Sequence, residues 1–184
     1  AIVQERITGT QLDGAVFTNI THDHLDYHGD FNNYIKAKKQ LFDRLPSSAF
    51  AVLNNDDAHA EDMAADTKAR VVTMAIQGVA DERGRLVENQ INGLVLHLDG
   101  QDLYSQLVGG FNASNLLAVY VVSKMLGTDK LNALTQMSLL KPPDGRFERV
   151  PARDGITAIV DYAHTPDALN NVLKTISHVR TGGE

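Results

Sequence analysis

The fold is decided by residues 15–53, which read AVFTNITHDHLDYHGDFNNYIKAKKQLFDRLPSSAFAVL. Residues 15–18 form a short apolar run that predicts a buried strand. A polar loop follows at 21–30. Over 31–45 apolar residues recur at spacings of three and four, which predicts a helix that the proline directly after it ends. Residues 49–53 predict a second buried strand, so the stretch has the strand–helix–strand order of a βαβ unit.

The same alternation continues further along the chain. A polar helix over about 58–68 and a strand over 71–76 predict an α/β protein with a mostly parallel sheet flanked by helices. The middle differs, because alternation over 94–98 and 103–107 indicates two strands with one apolar face each. Asp99-Gly100 lies between them as a turn signal, so we expect an added antiparallel hairpin.

The last part of the chain predicts helices, a linker and the beginning of a second unit. Residues 141–154 hold three of the five prolines and are the best linker candidate. We therefore expect one domain over 1–148 and the start of a C-terminal domain over 149–184. Thr165 should cap the last helix, with Pro166 at its first position. The expected elements are helix 112–126, helix 129–139, strand 156–160 and helix 166–179.

Composition excludes several classes of function. The chain has 17 Lys+Arg and 23 Asp+Glu, a net charge of −6, which disfavours nucleic-acid binding. The lack of cysteine excludes a disulfide framework, a zinc-finger cluster and a cysteine nucleophile. No apolar run of about 18 residues occurs, so membrane insertion is not expected. We expect a cytoplasmic monomer. We also expect it to be cut from a longer chain, because it begins at Ala1 and ends directly after a helical pattern.

The loop at 21–30 concentrates ionisable side chains. His22, His24 and His28 lie within seven positions, directly after a predicted strand. Ligands of open α/β sheets bind outside the carboxyl ends of strands, so this location favours a site. Histidine and aspartate serve as metal ligands or as general bases near neutral pH. The alternative is a solvated loop whose histidines only cap neighbouring backbone groups.

Lys38 lies on the apolar stripe of the first predicted helix, whereas Lys36 and Lys39 point away from it. A lysine there is costly unless it is paired or neutral. One interpretation is an inward lysine near the His/Asp loop, whose neutral amine takes up carbon dioxide. The resulting carbamate is a carboxylate-like anion suited to Mg²⁺. The alternative is a lysine whose ammonium reaches solvent at the edge of the apolar face.

Two further stretches are candidate ligand contacts. Asn112 and Asn115 are three residues apart on the first turn of a helix, and an amide suits an adenine edge because it both donates and accepts. Asp161 and His164 lie between a strand and a helix N-terminus, where phosphate binds readily. The alternatives are N-capping by Asn112 with a packed Asn115, and a capped turn with an exposed histidine. The phosphate-binding pattern Gly-x-x-x-x-Gly-Lys-Ser/Thr does not occur in this sequence.

Six motifs, taken together and in order, resemble those of the Mur ligase family. Any one of them is weak, but six in order across nearly the whole chain are highly specific. They are TNITHDHLDYHG at 18–29, YIKAK at 34–38, NNDD at 54–57, GFNASN at 110–115, GRFE at 145–148 and DYAHTPDAL at 161–169.

The resemblance implies an ATP-dependent ligase. Members of the family phosphorylate a carboxylate to an acyl phosphate, which an amine then attacks to form an amide. The likeness is greatest to the member that adds the third amino acid, meso-diaminopimelate or L-lysine, to UDP-N-acetylmuramoyl-L-alanyl-D-glutamate in peptidoglycan synthesis. It also implies that 149–184 begin a Rossmann-like domain and that the chain lacks the family's phosphate-binding loop.

The resemblance further implies roles for individual residues. It assigns Mg²⁺ binding and catalysis to His24 and Lys38, the latter carbamylated. It assigns ATP binding to five residues. Asn112 and Asn115 would contact adenine, and Arg146 would meet the nucleotide at the domain junction. Asp161 and His164 would approach the ribose and the phosphates. His164 is also a catalytic candidate, and Gln4 and Arg6 resemble residues that hold the UDP-sugar.

Two other functions remain open from the sequence. THDHLDYHG at 21–29 nearly spells the His-x-His-x-Asp-His loop of metallo-β-lactamase-fold hydrolases, in which two metal ions activate a water. Tyr27 interrupts that spacing. The other possibility is a ligase core that folds or binds substrate fragments but turns nothing over.

Overall fold

The computed structural model describes residues 2–21, 30–151 and 156–180. Its main element is a six-stranded sheet whose spatial order follows the chain order. Pairs among the first four strands are parallel, and the β4–β5 and β5–β6 pairs are antiparallel. The α/β class and the antiparallel hairpin are therefore confirmed. The strands are β1 (Gly14–Phe17), β2 (Phe50–Asn54), β3 (Arg70–Ala75), β4 (Glu82–Gln90), β5 (Gly93–Leu98) and β6 (Gln101–Ser105).

Five helices and a second small sheet complete the described part of the chain. Two short strands, β7 (Glu148–Pro151) and β8 (Thr157–Val160), pair antiparallel. The side chain of Thr165 accepts the N–H of Ala168 at the start of the last helix, as predicted. The helices are α1 (Phe31–Asp43), α2 (Ala60–Ala64), α3 (Gly110–Met125), α4 (Lys130–Ser138) and α5 (Pro166–Val179).

Strand β2 shows why helices cover both faces of the sheet. All five of its residues are buried. Ala51 and Leu53 pack in the cluster formed with α1 and α2, whereas Phe50 and Val52 pack in the cluster formed with α3 and α4. Side chains alternate along a strand, so a continuous apolar run can serve two cores at once. The parallel strands consequently end together at one edge, between the two layers.

Strand β4 was not predicted from the sequence. It reads ERGRLVENQ and buries little besides Gly84. It is held by main-chain pairing with β5 over Gly84–Gln90, with a register shift between Leu86 and Glu88. A strand with mostly solvent-facing polar side chains has no apolar alternation for a sequence pattern to detect. This strand connects the parallel part of the sheet to the hairpin.

Two predicted elements differ from the structure. The helix expected over 58–68 is limited to Ala60–Ala64, and beyond it the Thr67 hydroxyl donates to the carbonyl of Phe42 over 2.6 Å. This bond turns the chain toward the end of α1. The linker expected over 141–154 contains β7, whose pairing partner lies after it in the chain.

Tyr120 joins α3 to the turn between β5 and β6. Its buried hydroxyl donates to Oδ2 of Asp99 over 3.0 Å. This bond, with the nearby charge of Lys130, lowers the pKa of the Asp99 carboxyl below its ordinary value of 3.8. Burial, and to a smaller extent the same hydrogen bond, raises the pKa of Tyr120 to about 12. The interaction therefore stabilises the fold above the ordinary pKa of the carboxyl and below that of the phenol.

Replacing Tyr120 with phenylalanine should lower the free energy of unfolding by about 1 kcal/mol near neutral pH, since one hydrogen bond to a charged group is lost. The deficit should be constant between about pH 5 and 9. It should shrink as pH falls through the lowered pKa of Asp99, and again as pH rises above about 10. Urea unfolding followed by circular dichroism measures this. Tyr104→Phe, at an exposed tyrosine on β6, is the control; an equal deficit at all pH values would contradict the assignment.

Candidate functional site

The predicted His/Asp loop follows β1 at the edge where the parallel strands end. Residues 22–29 lie outside the described residues, so the structure does not test His22, His24 or His28. The roles of His24 in metal binding and catalysis stay predictions. Thr21 and Asp30, the first and last residues of the loop, are described, and Asp30 caps α1 by accepting the N–H of Asn33 over 2.8 Å.

The NNDD motif at 54–57 ties the carboxyl ends of β1 and β2 together. Asn54 Nδ2 donates to the carbonyl of Thr18 over 2.7 Å. Asp57 Oδ2 accepts the N–H of Ile20 over 3.0 Å, and its Oδ1 accepts the N–H of His59 over 2.9 Å. The motif thus sets where the chain leaves β1 and enters the His/Asp loop.

Asp56 extends the same clamp to β3. Its carboxylate accepts main-chain N–H groups from Ile76, Gln77 and Gly78, at 2.7, 3.2 and 2.7 Å for the shortest contact of each. Sequence reasoning assigned no role to this motif. The available signal was its position, because short polar side chains directly after a strand often bond to nearby main-chain groups.

A cleft of about 670 Å³ opens at this edge of the sheet. It is bounded by the end of β1, the loop after β2, the first turn of α1 and the first turn of α5. Its walls therefore come from both expected domains. The lining residues are Ile20, Thr21, Phe31, Asp56, Asp57, Ala58, His59, Pro166 and Asp167.

Of the two interpretations of Lys38, the structure agrees with the lysine that reaches solvent; the expected nearness to His24 is untested, because His24 lies outside the described residues. The side chain is exposed, and its Nζ lies 5.3 Å from the ring centroid of Tyr34, one turn earlier on α1. A lysine can rest its stem on an apolar face while the ammonium stays hydrated, and a ring face attracts the charge. Helical periodicity gave the direction of the side chain, but no described element covers it. The structure leaves its chemical role untested.

Lys39, predicted to point away, is the more buried of the two lysines. Its side chain is 17% exposed, and Nζ contacts the carboxylates of Asp43, at 2.6 Å, and Asp66. Burial acts to lower the pKa of Lys39, but the hydrogen bonds to the two carboxylates outweigh it and raise the pKa. Lys39 therefore anchors α1 to the segment after α2, which leaves Lys38 as the lysine of this pair without a described carboxylate partner.

The two candidate adenine contacts lie side by side on α3. The helix begins at Gly110, after Gly109 with φ 99°, so Asn112 is not its N-cap. Asn112 Nδ2 donates to the carbonyl of Val108 over 2.8 Å, and its Oδ1 accepts from Nδ2 of Asn115 at 3.4 Å. Asn115 is exposed. The pair presents amide donors and acceptors at the surface, which suits a purine edge.

Arg146 and His164 both lie near the ring of Tyr162. The Arg146 guanidinium is 5.2 Å from the ring centroid of Tyr162, and the His164 ring is 5.0 Å from it. All three side chains are exposed. His164 lies two residues before α5, whose N-terminal N–H groups favour anions. The arrangement fits phosphate oxygens chemically, although sequence reasoning did not identify Tyr162.

Asp161 holds the geometry of this cluster. Its Oδ2 accepts the N–H of Phe147 and its Oδ1 the N–H of Ala163, both at 2.8 Å. The N–H of Tyr162 bonds to the carbonyl of Gly145 over 2.9 Å. The carboxylate that the sequence assigned to ribose thus has a main-chain role here, and its contact with a nucleotide stays a prediction.

Two phenylalanines connect the asparagine pair, Asn112 and Asn115, with the basic cluster formed by Arg146 and His164. The rings of Phe111 and Phe147 are 6.4 Å apart in an edge-on arrangement. Phe147 is 2% exposed and packs in one cluster with Val108 and Val179. Each ring neighbours a predicted nucleotide residue in sequence, so this contact joins the two halves of the candidate site.

The remaining predicted residues have little described structure around them. Gln4 and Arg6 are exposed in the N-terminal turns, and their predicted contact with a UDP-sugar is untested. Among residues 2–21, 30–151 and 156–180, no three His, Asp or Glu side chains are grouped to hold a metal ion. In that same part of the chain, no helix is long and apolar enough to cross a membrane.

The fold and site define an α/β protein with candidate ligand contacts at the carboxyl ends of its parallel strands and beside the expected domain boundary. Residues 1–123 match the family model of the Mur ligase middle domain, and residues 145–184 match that of the Mur ligase glutamate ligase domain. The chain therefore belongs to the Mur ligase family, as the motifs predicted.

Curated relatives of high similarity carry one name. The chain is 48% identical over 180 residues to the UDP-N-acetylmuramoyl-L-alanyl-D-glutamate–2,6-diaminopimelate ligase of Cytophaga hutchinsonii, covering 98% of this chain and 37% of the relative. It is 44% identical over 182 residues to the ligase of that name from Bacteroides thetaiotaomicron, covering 99% and 38%. The chain thus spans less than two fifths of the length of these relatives.

Solved structures agree on the fold. A ligase of the same name is similar with a TM-score of 0.78 and 33% identity, covering 96% of this chain and 38% of that one. MurF from Acinetobacter baumannii has a TM-score of 0.82 at 16% identity, covering 92% and 38%, which shows the fold alone. None of these similarities supports the metallo-β-lactamase alternative.

Proposed function

We propose that the full-length protein is an ATP-dependent ligase that adds meso-diaminopimelate to UDP-N-acetylmuramoyl-L-alanyl-D-glutamate. The observation that carries this proposal is the 48% identity, over nearly the whole chain, to a ligase named for that reaction. The name favours diaminopimelate over lysine, an alternative that the sequence motifs left open. We further propose a cytoplasmic, monomeric enzyme, and a domain boundary between residues 148 and 149, after the first residue of β7.

We propose the following division of labour in this reaction, on the residues that the family motifs assign. Asn112 and Asn115 bind the adenine edge, and Arg146 with His164 holds phosphate oxygens next to the N-terminus of α5. Gln4 and Arg6 bind the UDP-sugar. His24 and Lys38, the latter as a carbamate, would hold Mg²⁺, which neutralises charge on the transferred phosphoryl group. Positioning and charge neutralisation of this kind account for most of the catalysis of phosphoryl transfer.

The test is a coupled assay on the full-length enzyme. ADP release should require UDP-N-acetylmuramoyl-L-alanyl-D-glutamate, meso-diaminopimelate and ATP together, and mass spectrometry should find the tripeptide product. Omitting any one of the three is the internal control, and L-lysine replaces diaminopimelate in a parallel reaction. Turnover with lysine but not diaminopimelate would contradict the proposed amino acid, and no product with either would contradict the ligase assignment.

The 184-residue chain by itself should bind Mg-ATP with a dissociation constant well above the micromolar range. Adenine contacts from two asparagines cannot replace a phosphate-binding loop and its lysine, and this sequence contains no such loop. Isothermal titration calorimetry measures the affinity, with the full-length enzyme as the positive control. A micromolar constant, roughly −8 kcal/mol, would mean that the nucleotide site is placed wrongly.

A further inference from the structure

His59 is the basic residue among those that line the cleft at the strand ends. It stands at the N-cap position of α2, directly after the NNDD motif, and makes no side-chain capping bond. Its main-chain N–H is held by Asp57. No sequence motif assigns this residue a role, because it lies in a polar segment apart from the histidine-rich loop.

The imidazole of His59 is held in one orientation by two neighbours. Its Nδ1 lies 2.7 Å from Oδ2 of Asp62, one turn further along α2. Its ring packs edge-on against Phe31 of α1, with 5.4 Å between centroids. A carboxylate on Nδ1 favours the tautomer with the proton on that nitrogen, so Nε2 is left with its lone pair. Within the described residues, Nε2 has no hydrogen-bond partner.

The other ionisable groups facing the cleft are less suited to accept a proton. Asp56 and Asp57 already accept main-chain N–H groups, which commits their oxygens to holding the strand ends. Asp167 lies in the first turn of α5, where a carboxylate interacts favourably with the helix dipole. The residue that α1 packs against His59 is the uncharged Phe31. Among the described residues of this cleft, an imidazole that is oriented by a carboxylate and has an uncommitted Nε2 is therefore the group best placed to accept a proton.

We propose that His59 accepts the proton of the attacking amine during amide formation, with Asp62 as its positioning residue. This rests on the proposed ligase function. In the step, the amine nitrogen forms a bond to the acyl carbon of the acyl phosphate. The bond between that carbon and the phosphate oxygen breaks, and phosphate leaves with the electron pair. The amine enters as an ammonium: its first proton passes to Nε2 of His59 before the attack and from there to solvent, and the second proton lost by nitrogen leaves with the phosphate.

The test compares two nucleophiles on the full-length enzyme. Diaminopimelate must lose a proton to react, whereas hydroxylamine is unprotonated at neutral pH and traps the acyl phosphate without a strong base. His59→Gln should lower kcat for amide formation about 10²-fold at pH 7 and leave hydroxamate formation within about twofold of wild type. The deficit should narrow as pH rises, because more of the amine is then already unprotonated. Asp62→Asn should lower kcat less, with the same selectivity for amide formation.

His97→Gln is the matched control, since His97 also pairs with an aspartate, Asp102, but lies on the β5–β6 hairpin. It should retain wild-type activity with both nucleophiles. Melting temperatures identify any variant that does not fold. If His59→Gln is unfolded, the activity of Asp62→Asn with the two nucleophiles tests the role of His59 instead. Equal losses with both nucleophiles, or an unchanged pH profile, would overturn the role of His59. A wild-type enzyme that forms neither product would overturn the ligase function as well.

Discussion

Replacing Lys38 with alanine in the full-length enzyme is expected to lower turnover by about 10²–10³-fold, the range seen when one preorganised electrostatic contact is removed. The melting temperature should change little, because the side chain is exposed and its described contact is with the Tyr34 ring. The loss arises because a carbamate at this position would help to fix the metal against the phosphoryl group. Amide formation and thermal melting are measured side by side.

Two neighbouring lysines provide controls for this prediction. Lys36→Ala removes an exposed lysine from the same helix and should leave turnover unchanged. Lys39→Ala removes the ion pairs with Asp43 and Asp66 and should mainly lower the melting temperature. If Lys38 is a carbamate, a small carboxylic acid should partly restore activity to Lys38→Ala. Full activity of Lys38→Ala at normal stability would remove this lysine from the mechanism.

Truncating Phe147 to alanine should lower the free energy of unfolding by about 3–5 kcal/mol, the usual cost of deleting a buried phenylalanine side chain. The ring is 2% exposed and fills the cluster that joins α5 to the segment before α3. Its loss should also separate the asparagine pair from the basic cluster. Denaturant unfolding of the chain gives the stability, and the KM for ATP of the full-length enzyme should rise.

Phe111→Ala is the matched control for this prediction. Phe111 is the ring partner of Phe147, but it is 38% exposed, so its truncation should cost much less free energy. Equal costs for the two variants would show that the small cluster does not stabilise the junction. An unchanged KM for ATP in Phe147→Ala would separate this cluster from the nucleotide site.

Local patterns identified most of the secondary structure. The apolar runs of β1 and β2, the alternation of β5 and the stripe of α1 all lie within a few residues of their predicted bounds. The turn at Asp99-Gly100 has both residues at positive φ, 48° and 77°, as such a hairpin requires. These features depend on neighbours in the chain, so the sequence is sufficient to find them.

Sequence motifs identified the candidate residues, but they did not predict which groups those residues contact. Lys38 lies on the correct stripe of α1, yet whether a stripe position is covered depends on elements far away in the chain. Asp161 was identified as a polar contact, yet its oxygens bond to main-chain groups that include Phe147, 14 residues earlier. Burial and hydrogen bonding between distant residues leave no periodic signal.

The sequence by itself determined the α/β class, the order of most elements, the Mur ligase family and the order of its motifs. The tertiary structure alone decided that β4 joins the sheet, that the NNDD motif clamps three strand ends, and that Lys39 rather than Lys38 is ion-paired. It also decided that His59 faces the cleft. The physical reason is that local periodicity and turn chemistry act between near neighbours, whereas the clamp and the Lys39–Asp66 ion pair require residues 20 or more positions apart to meet. Strand β4 pairs with nearer residues, but its polar side chains carry no apolar alternation that a sequence pattern could detect.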